Sequence, residues 1–461
     1  MKEALGEILL TPEECRLAED CLQMALSKGA GKARVTLSKS KMDLVGTLNG
    51  SVDKINSCLD RSLSVTLFAS GKFGAFSTNR ISPDELDDFL DKALETVAAL
   101  SSDPFRDLPD PGRLCKNATG GNELGLCDPD YIQTTPEQRV RRALDASAWG
   151  TEAASGKGFE LVSEEGEYSD SISDTLVLDS QGCRCRHMET NFDYGVEVTV
   201  KDTRGRLYSR YGWDSSTRLE GLDAASAAPS ALAKAVAGIG PQRTRSRHCN
   251  MVLDRECSSR VLSPVLRALN GYSLQQNDSF LVGSLGQRIF PAGLDIRDLP
   301  HINGESGSRL FDSEGVATVP GAIIGDGVVK QYFINTYMAG KMGLAPTVED
   351  PSRPAVMPFL RGGNIPEGDF GLQQILGLCG EGILVTDFNG GNSNTATGDF
   401  SFGVEGFAFK DGAITHPVHE MLITGNLLTL WQNLIAAGDD PRRCASRLVP
   451  TLAFADVSFS A

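Results

Sequence analysis

Residues Gly403 to Ile414 read GVEGFAFKDGAI, two apolar arms folded about Lys410-Asp411-Gly412, and this form predicts a β-hairpin. Ala322 to Tyr332 (AIIGDGVVKQY) repeats the form, with Gly-Asp-Gly between its arms. Such hairpins outnumber helices from about Cys249 onward. Residues 241–461 are therefore expected to form a large β-rich domain with a curled or barrel-like sheet. One helix interrupts this pattern, a candidate from Arg255 to Leu269.

Working back toward the N-terminus, Gly238-Ile239-Gly240-Pro241 closes an Ala-rich helix over Leu222 to Val236 and marks the domain boundary. Before it, strict alternation predicts strands at Ser171 to Asp179, Arg184 to Thr190 and Tyr194 to Lys201, an antiparallel meander turning at Ser180-Gln181-Gly182 and Asp202-Thr203-Arg204-Gly205. Prolines and glycines between Ser101 and Asp130 read as a linker, so residues 111–240 comprise linker, helix and meander. Residues 1–110 form an N-terminal helix-and-sheet domain. Its strands are Arg34 to Ser38, Asp43 to Leu48, and Ser62 to Ser77 folded at Ala69-Ser70-Gly71-Lys72. The class is α+β.

Three helix starts share one pattern: Thr11-Pro12-Glu13-Glu14, Ser82-Pro83-Asp84-Glu85 and Thr135-Pro136-Glu137-Gln138. Each offers an N-cap hydroxyl, proline at the first helical position and Glu or Gln at the third, so side chains can satisfy orphaned N–H groups reciprocally. The first helix runs to about Lys28 with Leu17, Cys21, Met24 and Ala25 on one face. The second runs from Leu86 to Leu100, and the third from Pro136 to about Ala154.

Composition limits the function classes. With 461 residues, 41% hydrophobic and 23% charged, the chain describes a globular protein of two or three domains. A net charge of -16 argues against nucleic acid, whose phosphates draw affinity from clustered Lys and Arg. The 11 cysteines lack CxxC or metal-ligand spacing, and MKEALGEILLTPEE has no signal-peptide apolar block, so a reducing cytoplasm is expected. No apolar run reaches the roughly 20 residues of a membrane span. Cys183 and Cys185 alternate along a strand and should share a buried face.

Familiar catalytic templates fail. Gly304-Glu305-Ser306-Gly307-Ser308 brings its second glycine one residue too early for a nucleophile elbow, and Gly71-Lys72 and Gly156-Lys157 lack phosphate-loop spacing. His416-Pro417-Val418-His419-Glu420 resembles an inverted zinc motif, but such motifs need a helix. Pro417 and Met421-Leu422-Ile423 read as a strand, on which residues three apart diverge. Asp312 and Glu314 could pair as carboxylates in a peptide groove, although turn capping by Asp312 and solvation of Glu314 account for them more simply.

Arg309 to Gly315 (RLFDSEG), Thr397 to Gly406 (TGDFSFGVEG) and Pro417 to Leu427 (PVHEMLITGNL), in that order, resemble the C-terminal domain of the TldD/TldE (PmbA) family, two-subunit bacterial peptidases also called modulators of DNA gyrase. In that family TldD carries an HExxxH zinc motif on a helix and TldE/PmbA does not. This chain has no HExxxH. The resemblance places Ser263, Pro264 and Ala268 of VLSPVLRALNGYS at the three motif positions, and Cys444 near the family's third ligand. It implies a chain with no catalytic residue and no cofactor of its own. Zinc is expected in a TldD-like partner, and this chain would position unfolded or short peptides beside it. Two alternatives stay open: a self-sufficient metal hydrolase using His416, His419 and Cys444, and a peptide-binding or regulatory homodimer.

Overall fold

The computed structural model describes residues 8–150, 158–243 and 245–460. The start of the chain before Ile8, the expected helix end at Ala154 and the pair Gly156-Lys157 lie outside them. The architecture is α+β, and the chain divides into two compact units. The first comprises Met1–Ala235, His301–Thr318 and Asn335–Val348; the second comprises Val236–Pro300, Val319–Ile334 and Glu349–Ala461. The RLFDSEG stretch thus groups with the N-terminal strands, not with the 241–461 region in which its sequence position set it.

In the first unit, α1 (Pro12–Ser27) and α2 (Pro83–Ala99) lie on one face of an antiparallel sheet. Its strands are β1 (Lys32–Leu48), β2 (Ser51–Ala69), β3 (Lys72–Thr78), β4 (Phe159–Asp179), β5 (Arg184–Asp202) and β6 (Leu207–Ser216), in the order β3-β2-β1-β4-β5-β6. The division at about residue 110 therefore separates no sheets, because β1 pairs with β4 along its length. The core joins Ala25, Leu90, Val35, Leu37, Val65 and Leu176, each side chain of leucine size contributing about 1.5–3 kcal/mol. The buried stripe of α1 is Ala18, Cys21, Leu22 and Ala25, so the face is rotated from the expected one and leaves Leu17 and Met24 only partly covered.

Two of the three expected capping boxes form. Thr11 Oγ1 accepts from Glu14 N at 3.1 Å while Glu14 Oε2 accepts from Thr11 N at 2.9 Å, and Thr135 with Gln138 repeats this at the start of α3 (Pro136–Asp145). Ser82 does not cap. Its hydroxyl donates to Glu85 Oε2 at 2.7 Å, which leaves no reciprocal bond to the backbone. The third helix ends at Asp145, well before Ala154.

The strands run longer than alternation suggested. β1 continues through Lys39, which points into the core with its ammonium 3.3 Å from both Glu14 oxygens and 3.2 Å from Leu9 O. A lysine thus holds a core position and hides the period. The segments Arg184 to Thr190 and Tyr194 to Lys201 are one strand, β5. β2 begins at Ser51, and up to Arg61 its residues are exposed. β3 pairs with β2 only from Leu63 to Ala69, so no described strand lies beside the outer edge of β2 from Ser51 to Ser62.

The expected linker is packed along the sheet. Cys115 N donates to Gly315 O, Arg186 N to Ala118 O and Thr190 N to Leu126 O, and Leu108, Leu114, Leu126 and Tyr131 are buried. Its prolines break periodicity without removing the apolar anchors. Cys183 and Cys185 share a buried face, their sulfurs 3.7 Å apart. The helix α4 (Ala224–Ala237) lies over Gly212 of β6, where a Cβ would stand 2.2 Å from Ala227 O.

The second unit is built on a closed ring of strands. β7 (Arg247–Leu253) leads into α5 (Ser259–Ala268), and a small sheet follows from β8 (Ile296–Asp298), β9 (Gly321–Gly325), β10 (Val328–Val329) and β11 (Pro354–Val356). After β12 (Phe359–Leu360) come β13 (Glu381–Ser393), β14 (Asp399–Lys410), β15 (Ala413–Asn426), β16 (Leu434–Ala437) and β17 (Leu452–Ser460). β13, β14, β15 and β17 pair in succession, and β7 bridges β17 to β13 and closes the barrel. Both hairpins open as read, on Asp-Gly turns: Asp326 and Gly327 have φ 50° and 72°, Asp411 and Gly412 53° and 75°. At Gly406 a Cβ would stand 1.9 Å from Leu384 O, so only glycine allows β14 its approach to β13.

Candidate functional site

The helix that sequence reading placed at the metal site is α5, in the second unit. Of the three motif positions, only Ser263 offers a polar side chain; Pro264 and Ala268 are buried among apolar neighbours. Ser263 is also committed. Its Oγ donates to Ser259 O at 2.9 Å and accepts from Arg447 Nη1 at 3.0 Å. Zinc does not fit here, because two positions lack donor atoms and the third holds a guanidinium cation against its oxygen. Sequence reasoning did not single out Arg447, which reaches Ser263 across 184 positions with no local signal to announce it.

His416 and His419 stand on β15. His416 Nδ1 lies 3.1 Å from Thr415 Oγ1, and His419 Nδ1 lies 3.8 Å from Glu420 Oε2 beside a bulge where Glu420 takes a φ of 54°. Cys444 is half-buried in the loop before β17. Among the described residues, no three His, Cys, Asp or Glu side chains converge to hold a metal ion.

Asp312 and Glu314 lie in the first unit. Asp312 Oδ1 accepts from Glu314 N at 2.9 Å and Val316 N at 3.0 Å, the geometry of a turn cap. Glu314 is not solvated as the sequence suggested: its Oε2 accepts from Thr336 N at 2.9 Å and Thr336 Oγ1 at 2.8 Å. Burial raises its carboxyl above the ordinary range, against the two Thr336 bonds and the field of Arg34. A raised folded pKa stabilises the fold below the unfolded value, and that contribution is lost as pH rises through the folded one. Glu314→Gln should therefore gain on the parent protein as pH rises from about 4 to about 7. Melting temperatures of both proteins across that range test it; a constant difference would mean that Glu314 titrates as in water.

Comparison with known proteins decides what this frame is. Residues 129–239 match the PmbA/TldA metallopeptidase central domain and residues 246–461 the C-terminal domain of the same group. The chain belongs to the PmbA/TldD metallopeptidase family. It is 26% identical to the metalloprotease PmbA of Escherichia coli O157:H7, across 99% of this chain and 100% of that one. A crystal structure from Bacteroides thetaiotaomicron, named a modulator of DNA gyrase, superposes with TM-score 0.91 at 35% identity, covering 98% of this chain and 100% of that one. TldE from Thermococcus kodakarensis shares the fold, with TM-score 0.81 at 16% identity over 96% and 100% of the two chains. No described helix is long and apolar enough to cross a membrane.

Proposed function

We propose that this chain is the TldE/PmbA-type, non-catalytic subunit of a cytoplasmic zinc peptidase whose metal is held by a TldD-like partner. The observation that carries this reading is the absence of HExxxH from the chain, supported by α5, where the resemblance sets that motif: it offers Ser263, Pro264 and Ala268, with Arg447 bonded to the one polar side chain of the three. A subunit so built supplies walls and recognition. Its substrates are unfolded or short peptides, which present backbone for strand addition. The outer edge of β2 from Ser51 to Ser62, with Ile55 and Leu59 exposed on it, supports that reading, since an unpaired edge takes a further strand from a subunit or peptide.

The test is metal content by mass spectrometry on the purified chain, alone and after co-expression with a TldD-like protein. Zinc and peptidase activity confined to the co-purified complex are the expected result. Stoichiometric metal in the lone chain, lost on His419→Ala, would overturn it in favour of a self-sufficient hydrolase. A stable homodimer that takes up no TldD-like subunit would replace it with the regulatory reading.

A further inference from the structure

Helix α5 turns one stripe toward solvent, and the stripe is cationic. Arg260, Ser263 and Arg267 stand at i, i+3 and i+7, the spacing that aligns side chains on one helix face, and both arginines are exposed. Arg447 joins them from the loop before β17 through its 3.0 Å bond to Ser263. An exposed charged stripe is ordinarily just hydrated, but two of these three groups are already oriented. Arg260 Nη2 donates to Gly391 O at 3.0 Å, with its guanidinium carbon 5.1 Å over the Phe402 ring, and Arg447 is fixed on Ser263. The carboxylate one turn before Arg260, Glu256, is engaged by Arg442 at 3.3 Å. Arg260, Arg267 and Arg447 form no ion pair with any described carboxylate, in a chain with 60 acidic residues against 44 basic ones.

We propose that this stripe binds peptide carboxylates, with Arg267 and Arg447 as its principal donors and Arg260 as its oriented flank. A guanidinium offers five N–H donors in a planar fork that matches a carboxylate bidentately; among the described residues, Arg447 spends one on Ser263, Arg260 one on Gly391, and Arg267 none. Pre-orientation lowers the ordering cost that usually cancels exposed ion pairs. That the ligand is a peptide rests on the function proposed above; the preference for carboxylate rests on α5 and its loop alone.

Fluorescence anisotropy of the full chain with three labelled Gly/Ser peptides tests this: one with acidic side chains and an amidated end, one neutral with a free C-terminal carboxylate, one neutral and amidated. One or both carboxylate peptides should bind about tenfold tighter than the neutral one at low salt, and which of them does so identifies side chain or chain end as the ligand. The double variant Arg267→Ala/Arg447→Ala should lose that margin, and Arg267→Lys/Arg447→Lys should recover only part of it. Both positions are exposed, and circular dichroism is to check that the variants fold. Equal binding of the three peptides, an unchanged preference in the double variant, or displacement by single-stranded oligonucleotide more readily than by acidic peptide would each sink the proposal. Equal binding of the three peptides by a parent chain that still forms a zinc-bearing complex rejects this site alone; a carboxylate preference in a parent chain that forms no such complex rejects only the partner reading.

Discussion

Replacing Arg139 with leucine is expected to destabilise the first unit by about 3–5 kcal/mol. Arg139 projects from α3 into the sheet and is 5% exposed. Its Nε and Nη2 grip Asp170 at 2.7 and 2.9 Å, Nη1 donates to Thr134 O at 2.7 Å, and Nη2 lies 3.2 Å from Asp43. Tyr168 adds a hydroxyl to Asp170 at 3.0 Å. Burial works against the guanidinium charge, but Asp170 and Asp43 outweigh it and hold its pKa above the ordinary value. Leucine would leave Asp170, 1% exposed, without its cation, while Asp43 keeps Lys41 at 3.2 Å. Urea unfolding followed by circular dichroism measures the loss, and Asp170→Leu added to Arg139→Leu should return much of it, since the stranded charge goes with it. A loss below about 1 kcal/mol would mean that the pair behaves as a solvated surface bridge.

Trp431→Ala should cost the second unit a similar amount, about 3–5 kcal/mol, for a different reason. Trp431 is fully buried, edge-on to Phe290 at 6.0 Å and to Phe454 at 5.8 Å. Its Nε1 donates to Val261 O at 3.3 Å, a carbonyl of α5. Truncation opens a cavity and releases the inner side of the helix that presents Ser263 and Arg267. Trp431→Phe keeps most of the volume and loses the N–H, so it should cost about 1–2 kcal/mol. Thermal melts of the two variants separate packing from hydrogen bonding; equal losses would assign the whole effect to the bond.

What could be read from the sequence follows from how local each signal was. Asp326-Gly327 and Asp411-Gly412 were legible because a tight hairpin demands positive φ at both central residues, and Asp-Gly supplies it. The early part of β2 was not. Val52, Ile55 and Leu59 are spaced by three and four, a helical spacing, and with this stretch exposed no core enforces alternation; backbone pairing with β1 makes it a strand. Lys39 concealed the middle of β1 because its charge is neutralised by Glu14, a partner on another element. At the candidate site, the missing HExxxH was plain in the chain, whereas Arg447 on Ser263 depends on a loop folding back across the unit. The barrel's closure, β7 onto both β13 and β17, likewise leaves no mark on any short window of sequence.

That closure also decides where the second unit tolerates change. In an open sheet a one-residue insertion shifts a single pairing and dissipates at the edge, but around β7, β13, β14, β15 and β17 every register is tied to the next and the last returns to the first. An extra residue inside any of the five has to be absorbed as a new bulge or break the circle. Lengthening belongs outside the paired stretches, as at the largely exposed Asn394–Thr397 turn, and relatives of unequal length should place their surplus residues there.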